Sequence, residues 1–302
     1  MLEDLIKAEK LAKGSKWARL LHAPFKYISG QYFVKFKYNN TEGKKVICST
    51  FFDRSMEVEL PAGMDIYLLG IKSHDSEIRL AGYLIQKLQL GHTFVDVGAH
   101  YGYFSLLSAK LVGNQGKTFC FEASPNTFKT LKKNVRPYEN ILAINQACSD
   151  KNEVLSFYEF PLLYSEYNTI DIQQFSKEKW FSEAPPTLVD VEGITLDAFF
   201  ENEDVTPDLI KIDVEGAENK VIRGLSETIK HLDDVEIILE FLTDQRSNQA
   251  HLEAAEILLS NGFNPYIILA GGTLERIQNG KIANAISDKK LDSDNVLFKK
   301  QL

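Results

Sequence analysis

The sequence predicts a doubly wound α/β fold, and three observations predict it. Short apolar runs alternate with helical stretches from about residue 77 onward, the runs are nearly continuous in apolar residues, and the first ends in an acid followed by a glycine-bearing turn. Near-continuous apolar strands are buried on both faces, as in a parallel sheet covered by helices. Right-handed crossovers then place helices on both sides. Seven strands are expected, at 93–97, 117–122, 141–145, 208–213, 235–241, 265–270 and 295–298. The last follows a Gly- and Asp-rich segment and is expected to return antiparallel.

Upstream, residues 1–20 suit a weakly amphipathic helix with Leu2, Leu5, Ile6, Leu11 and Trp17 on an imperfect stripe. Residues 31–38 and 45–52 are rich in β-branched and aromatic side chains, with a turn signal at 39–43, and predict a hairpin. Ile78 to Gln89 reads as a helix closed by Gly91. This divides the chain into a small β-containing extension, 1–75, and a main domain, 76–302. Within the latter, 159–187 is long and aromatic and ends in Pro185-Pro186. Such a segment reads as a lid or substrate insert, or as a plain surface insertion.

With 302 residues, 44% apolar and 25% charged, the chain is of ordinary globular composition, which excludes collagen-like, disulfide-stapled and wholly disordered classes. Three dispersed cysteines (Cys48, Cys120, Cys148) suggest a reducing compartment. The acidic start, Met1 to Lys7, does not read as a signal peptide, no apolar run is long enough to span a bilayer, and a cytoplasmic setting is expected. Net charge is −8, but residues 1–45 hold ten Lys+Arg against four Asp+Glu, a local +6 that leaves −14 elsewhere. The acidic body argues against nucleic acid as partner. The basic arm reads as a solvated face, a contact for an anionic substrate or membrane surface, or an oligomerisation element.

The chemistry-bearing motifs fall at strand ends, where ligands bind in such sheets. Asp96-Val97-Gly98-Ala99-His100-Tyr101-Gly102 lacks the Gly-x-Gly-x-x-Gly that brings a pyrophosphate close to backbone. An acid at the strand tip suits a cationic amine better than a phosphate, so the turn points to S-adenosyl-L-methionine. Glu122, with Ala123 beside it, ends the second strand about 20 residues later, where a carboxylate accepts ribose hydroxyls; Ser124-Pro125 also starts a helix well. Ser149 or Asp150 follows the third strand and is placed for adenine, or is simply a turn residue. Lys211, Asp213 and Glu215 alternate, so in an extended strand they share one face. A lysine in an apolar strand needs counter-charges, which predicts an ionic cluster that is either structural or functional. Glu240 adds an acid on the next strand.

These residues resemble the FkbM-type S-adenosylmethionine-dependent methyltransferases: the Asp96–Tyr103 turn, the Glu122-x-Ser-Pro strand end, Thr195-Leu196-Asp197, the Ile210–Glu218 block and Asn295–Phe298, over roughly 75–300. The resemblance implies a class I methyltransferase (Rossmann-like) fold, methyl transfer to hydroxyls of sugars, glycans or natural products, and a cofactor site at Glu77, Asp96, Gly98, Ala99, His100, Gly102, Glu122, Ala123, Ser149 and Asp213. Glu77 matches an acidic residue placed to hold the methionine end. The sequence departs from the family at His100, where many relatives carry Asn, and in the aromatic insert.

In-line transfer needs acceptor oxygen, carbon and sulfur aligned, and a base for the hydroxyl proton. Asp213 is the first candidate base and Glu215 the second, with Lys211 orienting the carboxylates or lowering the acceptor's pKa. His100 has a suitable ordinary pKa but sits in the cofactor turn; His74 and His92 are weaker candidates. Asp213 and Glu240 are hard oxygen donors, which makes a metal-dependent catechol-type site a rival mechanism, but they form no recognisable ligand spacing and no metal is expected. The alternatives are a nicotinamide-dependent oxidoreductase and a non-catalytic cofactor-binding scaffold.

Overall fold

The computed structural model describes residues 1–38, 43–172, 175, 180–243, 248–289, 291 and 293–300. The chain opens with three helices, α1 (Leu2–Ala12), α2 (Lys16–His22) and α3 (Pro24–Phe36). The helix expected over 1–20 is broken at Gly14-Ser15, where Ser15 Oγ accepts the Ala18 N–H and starts α2. A hairpin follows, β1 (Lys44–Ser49) and β2 (Ser55–Leu60), then α4 (Met64–Leu69).

The first strand of the expected hairpin is not a strand. Residues 31–36 lie in α3, and the hairpin is formed by 44–49 with 55–60, turning at Thr50–Arg54. Pro24 at the first helical position fixes φ and starts α3, and Phe25, Ile28, Tyr32 and Phe36 recur at helical spacing. Aromatic and β-branched content raises strand propensity only where a sheet face receives it. Of the turn expected at 39–43, residues 39–42 lie outside the described ones.

The chain continues with α5 (Asp75–Lys87), β3 (Thr93–Val97), α6 (Tyr103–Val112), β4 (Lys117–Phe121), α7 (Pro125–Val135), β5 (Ile141–Ile144), β6 (Ala147–Cys148), β7 (Val154–Glu159), β8 (Thr187–Ile194) and α8 (Leu196–Glu203). It continues through β9 (Leu209–Ile212), α9 (Glu218–Arg223), α10 (Ser226–His231), β10 (Glu236–Leu242), α11 (Gln249–Ser260), β11 (Phe263–Ile268), β12 (Leu274–Arg276), α12 (Ile282–Ser287) and β13 (Ser293–Lys300).

Among the described residues, eight strands form one sheet in the order β12-β11-β13-β10-β9-β3-β4-β5. The seven expected strands are all present; the short β12 extends the edge beside β11. Strands β10, β9, β3, β4 and β5 run parallel, and β13 inserts antiparallel between β10 and β11. The order reverses between β3 and β9, so the loops at their carboxyl ends diverge and leave a crevice. The two faces are separate cores. Phe94, Leu209, Ile238 and Leu297 pack with α5 and α6, while Val95, Ile210, Ile237 and Phe298 pack with α8, α9 and α11.

The insert is the tip of a second hairpin. β7 and β8 pair antiparallel from Val154↔Glu192 to Glu159↔Thr187, and a 3₁₀ turn, Leu162–Tyr167, lies between them. Glu159 ties its base to α7, accepting hydrogen bonds from Ser124 Oγ and Asn126 Nδ2. Thr195 Oγ1 caps α8 by accepting the Ala198 N–H, and Asp197 accepts the N–H groups of Glu227 and Thr228 at the start of α10. The Thr-Leu-Asp motif therefore holds two helices in place.

Candidate active site at the carboxyl ends of the strands

Strand register sets Asp96 of β3 directly across from Lys211 of β9. Both are sealed, at 1% and 2% exposure, so the lysine depends on counter-charges supplied by the protein. Lys211 Nζ lies 3.0 Å from Asp213 Oδ2 and 3.7 Å from Asp96 Oδ1. It also sits 5.6 Å from the centre of the Phe104 ring. Ser105 Oγ, in the first turn of α6, donates to Asp96 Oδ2 at 2.6 Å. Asp96 Oδ1 receives no hydrogen bond among the described residues.

A second cation enters from the other side. Lys72, just before α5, places Nζ 3.5 Å from Glu77 Oε2 and 3.8 Å from Glu166 Oε1. Nothing in the sequence around Lys72 marks it, because its partners come from distant segments.

These groups line a cavity of about 500 Å³. Its walls are the turn Asp96–Tyr101, the β4 end Phe121–Ala123, the loop Asp213–Glu215, Glu240, and Ser165–Asn168 of the insert. Gly98 has a φ of 81°, and a Cβ there would collide with the Asp213 carbonyl, so glycine is what lets the two strand tips close together. Glu122 accepts the backbone N–H groups of His100 and Ser124, each at 2.9 Å.

Burial pushes several acids up. Glu122 rises to about 7 despite those two N–H donors, and Asp65 to about 6. Burial, together with the Asp213 charge, raises Glu240 well above the carboxylate range. Burial works against ionisation of Asp213 too, but Lys211 and Lys72, with hydrogen bonds from Lys211 and Glu240, outweigh it and hold Asp213 at about 2. The result is an ionised Asp213 beside a protonated Glu240. Burial and the Lys72 charge depress His100 to about 3, so its ring stays neutral.

Asp213, Glu215 and Glu240 bring one oxygen each within 4.8 Å of one another, a spacing that a metal ion would fit. One of the three, Asp213, is already paired with a cation, Lys211 Nζ at 3.0 Å.

Most expected site residues converge here. Glu77, Asp96, Gly98, Ala99, His100, Glu122, Ala123, Lys211, Asp213 and Glu215 all line the cavity. Two expected residues do not. Gly102 is in the left-handed region, φ 87°, and starts α6 behind the wall. Ser149 donates its N–H to the Ile194 carbonyl and is buried between β6 and β8; Gln146, Ala147 and Cys148 line the cavity in its place. The alternation expected through Glu215 also stops early. β9 ends at Ile212 and Glu215 turns left-handed, φ 53°, so Glu215 reaches the cluster through a turn. That turn is braced by Glu218, which accepts the N–H groups of Val214 and Gly216 and meets His251 Nε2 at 3.2 Å.

The FkbM methyltransferase domain matches residues 96–265, more than half of the chain. The chain belongs to the FkbM methyltransferase family. It is 30% identical over 183 residues to Methyltransferase 1 of Beauveria bassiana (strain ARSEF 2860), covering 56% of this chain and 71% of that protein. Among solved structures, an FkbM methyltransferase from Methylobacillus flagellatus KT has 14% identity and a TM-score of 0.44, covering 78% of this chain and 52% of that one. An S-adenosylmethionine-dependent O-methyltransferase from Thermotoga maritima has 12% identity and a TM-score of 0.39, covering 86% and 94%.

The protein is thus an S-adenosylmethionine-dependent methyltransferase of the FkbM type, and the nicotinamide and scaffold alternatives fall away. The cavity fits that cofactor. Among its described lining residues, carboxyl groups outnumber the two lysines, and Asp96 Oδ1 and Glu77 Oε2 are buried oxygens without a hydrogen-bond donor. Each of these oxygens lies near a lysine, 3.7 and 3.5 Å from Nζ, and a ligand bearing an ammonium and a sulfonium suits a cavity whose acids still exceed its cations.

Proposed function

We propose that the protein O-methylates a hydroxyl of a sugar, glycan or similar polyol. S-adenosylmethionine, when bound, supplies an electrophilic methyl on its sulfonium. Asp96 and Glu77 would receive the amino-acid end of the cofactor, the Gly98–Tyr101 backbone its sulfur side, and Glu122 its ribose hydroxyls.

The observation that carries the reading is Asp213, ionised at the cavity wall with its orientation fixed by Lys211 and Glu240. A carboxylate held at about 2 is a weak base toward a free alcohol. The hydroxyl becomes a strong acid, however, once its oxygen begins to bond the methyl carbon. Asp213 then accepts the proton as the C–O bond forms, a role worth about 10²–10⁴ in rate. His100 at about 3 is equally weak, and it is turned toward Ser165 Oγ, 3.2 Å away.

Support for a sugar comes from the insert. Tyr167 lines the cavity and stacks on Trp180 at 5.2 Å, and Trp180 stacks on Tyr164 at 4.3 Å. Flat aromatic faces take the C–H faces of a sugar ring. On this reading Ser165–Asn168 and Ile170 of the insert form the acceptor wall, and the free, buried cysteines suit a cytoplasmic setting.

The test is to incubate the protein with methyl-labelled S-adenosylmethionine and a panel of saccharides and polyols, reading O-methyl products by mass. Product formation should fall about 10²–10⁴-fold in Asp213→Asn. Cofactor binding with methylation only of amines or thiols would overturn the reading.

A further inference from the structure

From Lys10 to Thr41 the sequence has seven Lys and Arg and not one Asp or Glu, in a protein whose net charge is −8. The same segment carries the densest run of exposed large apolar side chains in the described structure. Trp17, Leu21, Phe25, Ile28, Tyr32 and Phe36 are uncovered, from 54% at Tyr32 to 88% at Phe25. Their steps of four, four, three, four and four residues keep them to one side of each helix. In α3 the opposite side is the packed one. Gly30 lies against Met64, and Lys26 Nζ donates to the Tyr67 carbonyl at 3.4 Å.

We propose that α2 and α3 form a docking face for an anionic lipid bilayer. Helices that lie in a membrane interface combine an apolar stripe with flanking cations and interfacial aromatic rings. Here Lys16, Lys35 and Lys37 are exposed beside the stripe and form no salt bridge among the described residues. Lys35 Nζ sits 5.4 Å from the centre of the Phe36 ring, so cation and aromatic face outward together. Tyr32 and Phe36 lie 5.3 Å apart, centre to centre, and extend the apolar surface.

Charge decides between a bilayer and a second copy of this chain. A two-fold contact would set this acid-free face against itself, cation over cation. Lipid phosphates supply the opposite charge, and the acyl boundary accepts the stripe. The face also adjoins the cavity. α3 packs on α4, whose Asp65 and Ile66 line it, and Tyr38 Oη accepts the Leu163 N–H of the insert at 3.3 Å. A bilayer-bound protein therefore holds its methyl-transfer site one helix away from the lipid. This inference is independent of the acceptor's identity, because its test reads lipid binding.

The experiment is co-sedimentation of the full chain with phosphatidylcholine vesicles, with and without phosphatidylglycerol, at low and high salt. The expected result is binding that requires phosphatidylglycerol and weakens with salt. Partition should fall about tenfold for Phe25→Ser and about fivefold for Lys35→Gln. Calorimetric binding of S-adenosylmethionine by both variants shows that they are folded. Failure of the wild-type protein to sediment with phosphatidylglycerol vesicles overturns the proposal, whatever the variants do. So does lipid binding indifferent to Phe25 and Lys35. A concentration-dependent dimer in sedimentation velocity that Phe25→Ser dissolves, with no lipid binding, would reassign the face to self-association.

Discussion

The strand-tip cluster and the N-terminal helices each hold an arrangement that is costly in isolation. In the first, a lysine is 2% exposed inside a sheet; in the second, a phenylalanine is 88% exposed on a helix. The difference lies in where compensation comes from. Lys211 has Asp96, Asp213 and the Phe104 ring around it, all from this chain. Phe25 and its neighbours have no cover among the described residues. A cost met internally marks a site that is complete apart from its ligand. A cost left open marks a surface whose partner lies outside the chain.

The sharpest way to break this comparison is to remove the internal compensation. Lys211→Met leaves the buried Asp96 and the half-buried Asp213 without their shared cation. The expected loss is about 3–5 kcal/mol in denaturant unfolding, the range for deleting one partner of a buried pair. A loss below about 1 kcal/mol would mean that the two carboxylates are solvated, as surface pairs are.

That cluster was readable in sequence because each part carries its own signal, although Asp96 and Lys211 meet across 115 positions. A charged residue in an apolar strand announces its need for partners, and the Asp96 turn and Ile210–Glu218 block supply them at fixed spacing. The seven strands, their helical crossovers and the antiparallel return of β13 followed from the alternation of apolar runs and helices, whereas the insertion of β13 between β10 and β11 did not. What the sequence concealed lies in residues that carry no such signal of their own. Lys72 meets Glu166 across 94 positions, and Ser149 faces β8 because a second hairpin forms beside it. Residues 31–36 have strand composition, yet no sheet edge receives them and Pro24 starts a helix instead. The aromatic insert stayed indistinct for a similar reason, since its stack joins Tyr164 and Tyr167 to Trp180 across the hairpin tip.

A second test sharpens the internal side through pH. Glu122 stands at about 7 in the folded protein against an ordinary 4.5. The folded state therefore binds more protons than the unfolded chain between these values. Its contribution to stability is fully present below about 4.5 and is lost as pH rises through 7, up to about 3 kcal/mol. Asp213 has the opposite sign, its contribution being lost only as pH falls through about 2, outside this window. Asp65, at about 6, shares the sign of Glu122. Unfolding of wild type and Glu122→Gln across pH 4.5 to 7 should show a shallower decline in the variant. Parallel curves would place the Glu122 carboxyl in contact with solvent.

The smallest effect belongs to the exposed side. Leu21 is 80% exposed in a helix that buries none of its residues, so Leu21→Ser forfeits almost no burial. Serine's slightly lower helix propensity is the main cost, and the expected change is within about 0.5 kcal/mol. A loss of 2 kcal/mol or more, the scale of a buried leucine, would show that α2 is covered within the folded protein after all. The outward stripe would then be part of the core and not a face awaiting a partner. Near-neutrality in solution, set beside a large loss for Lys211→Met, separates the two regions by the criterion that distinguishes them: whether the free energy is settled inside the chain or at its boundary.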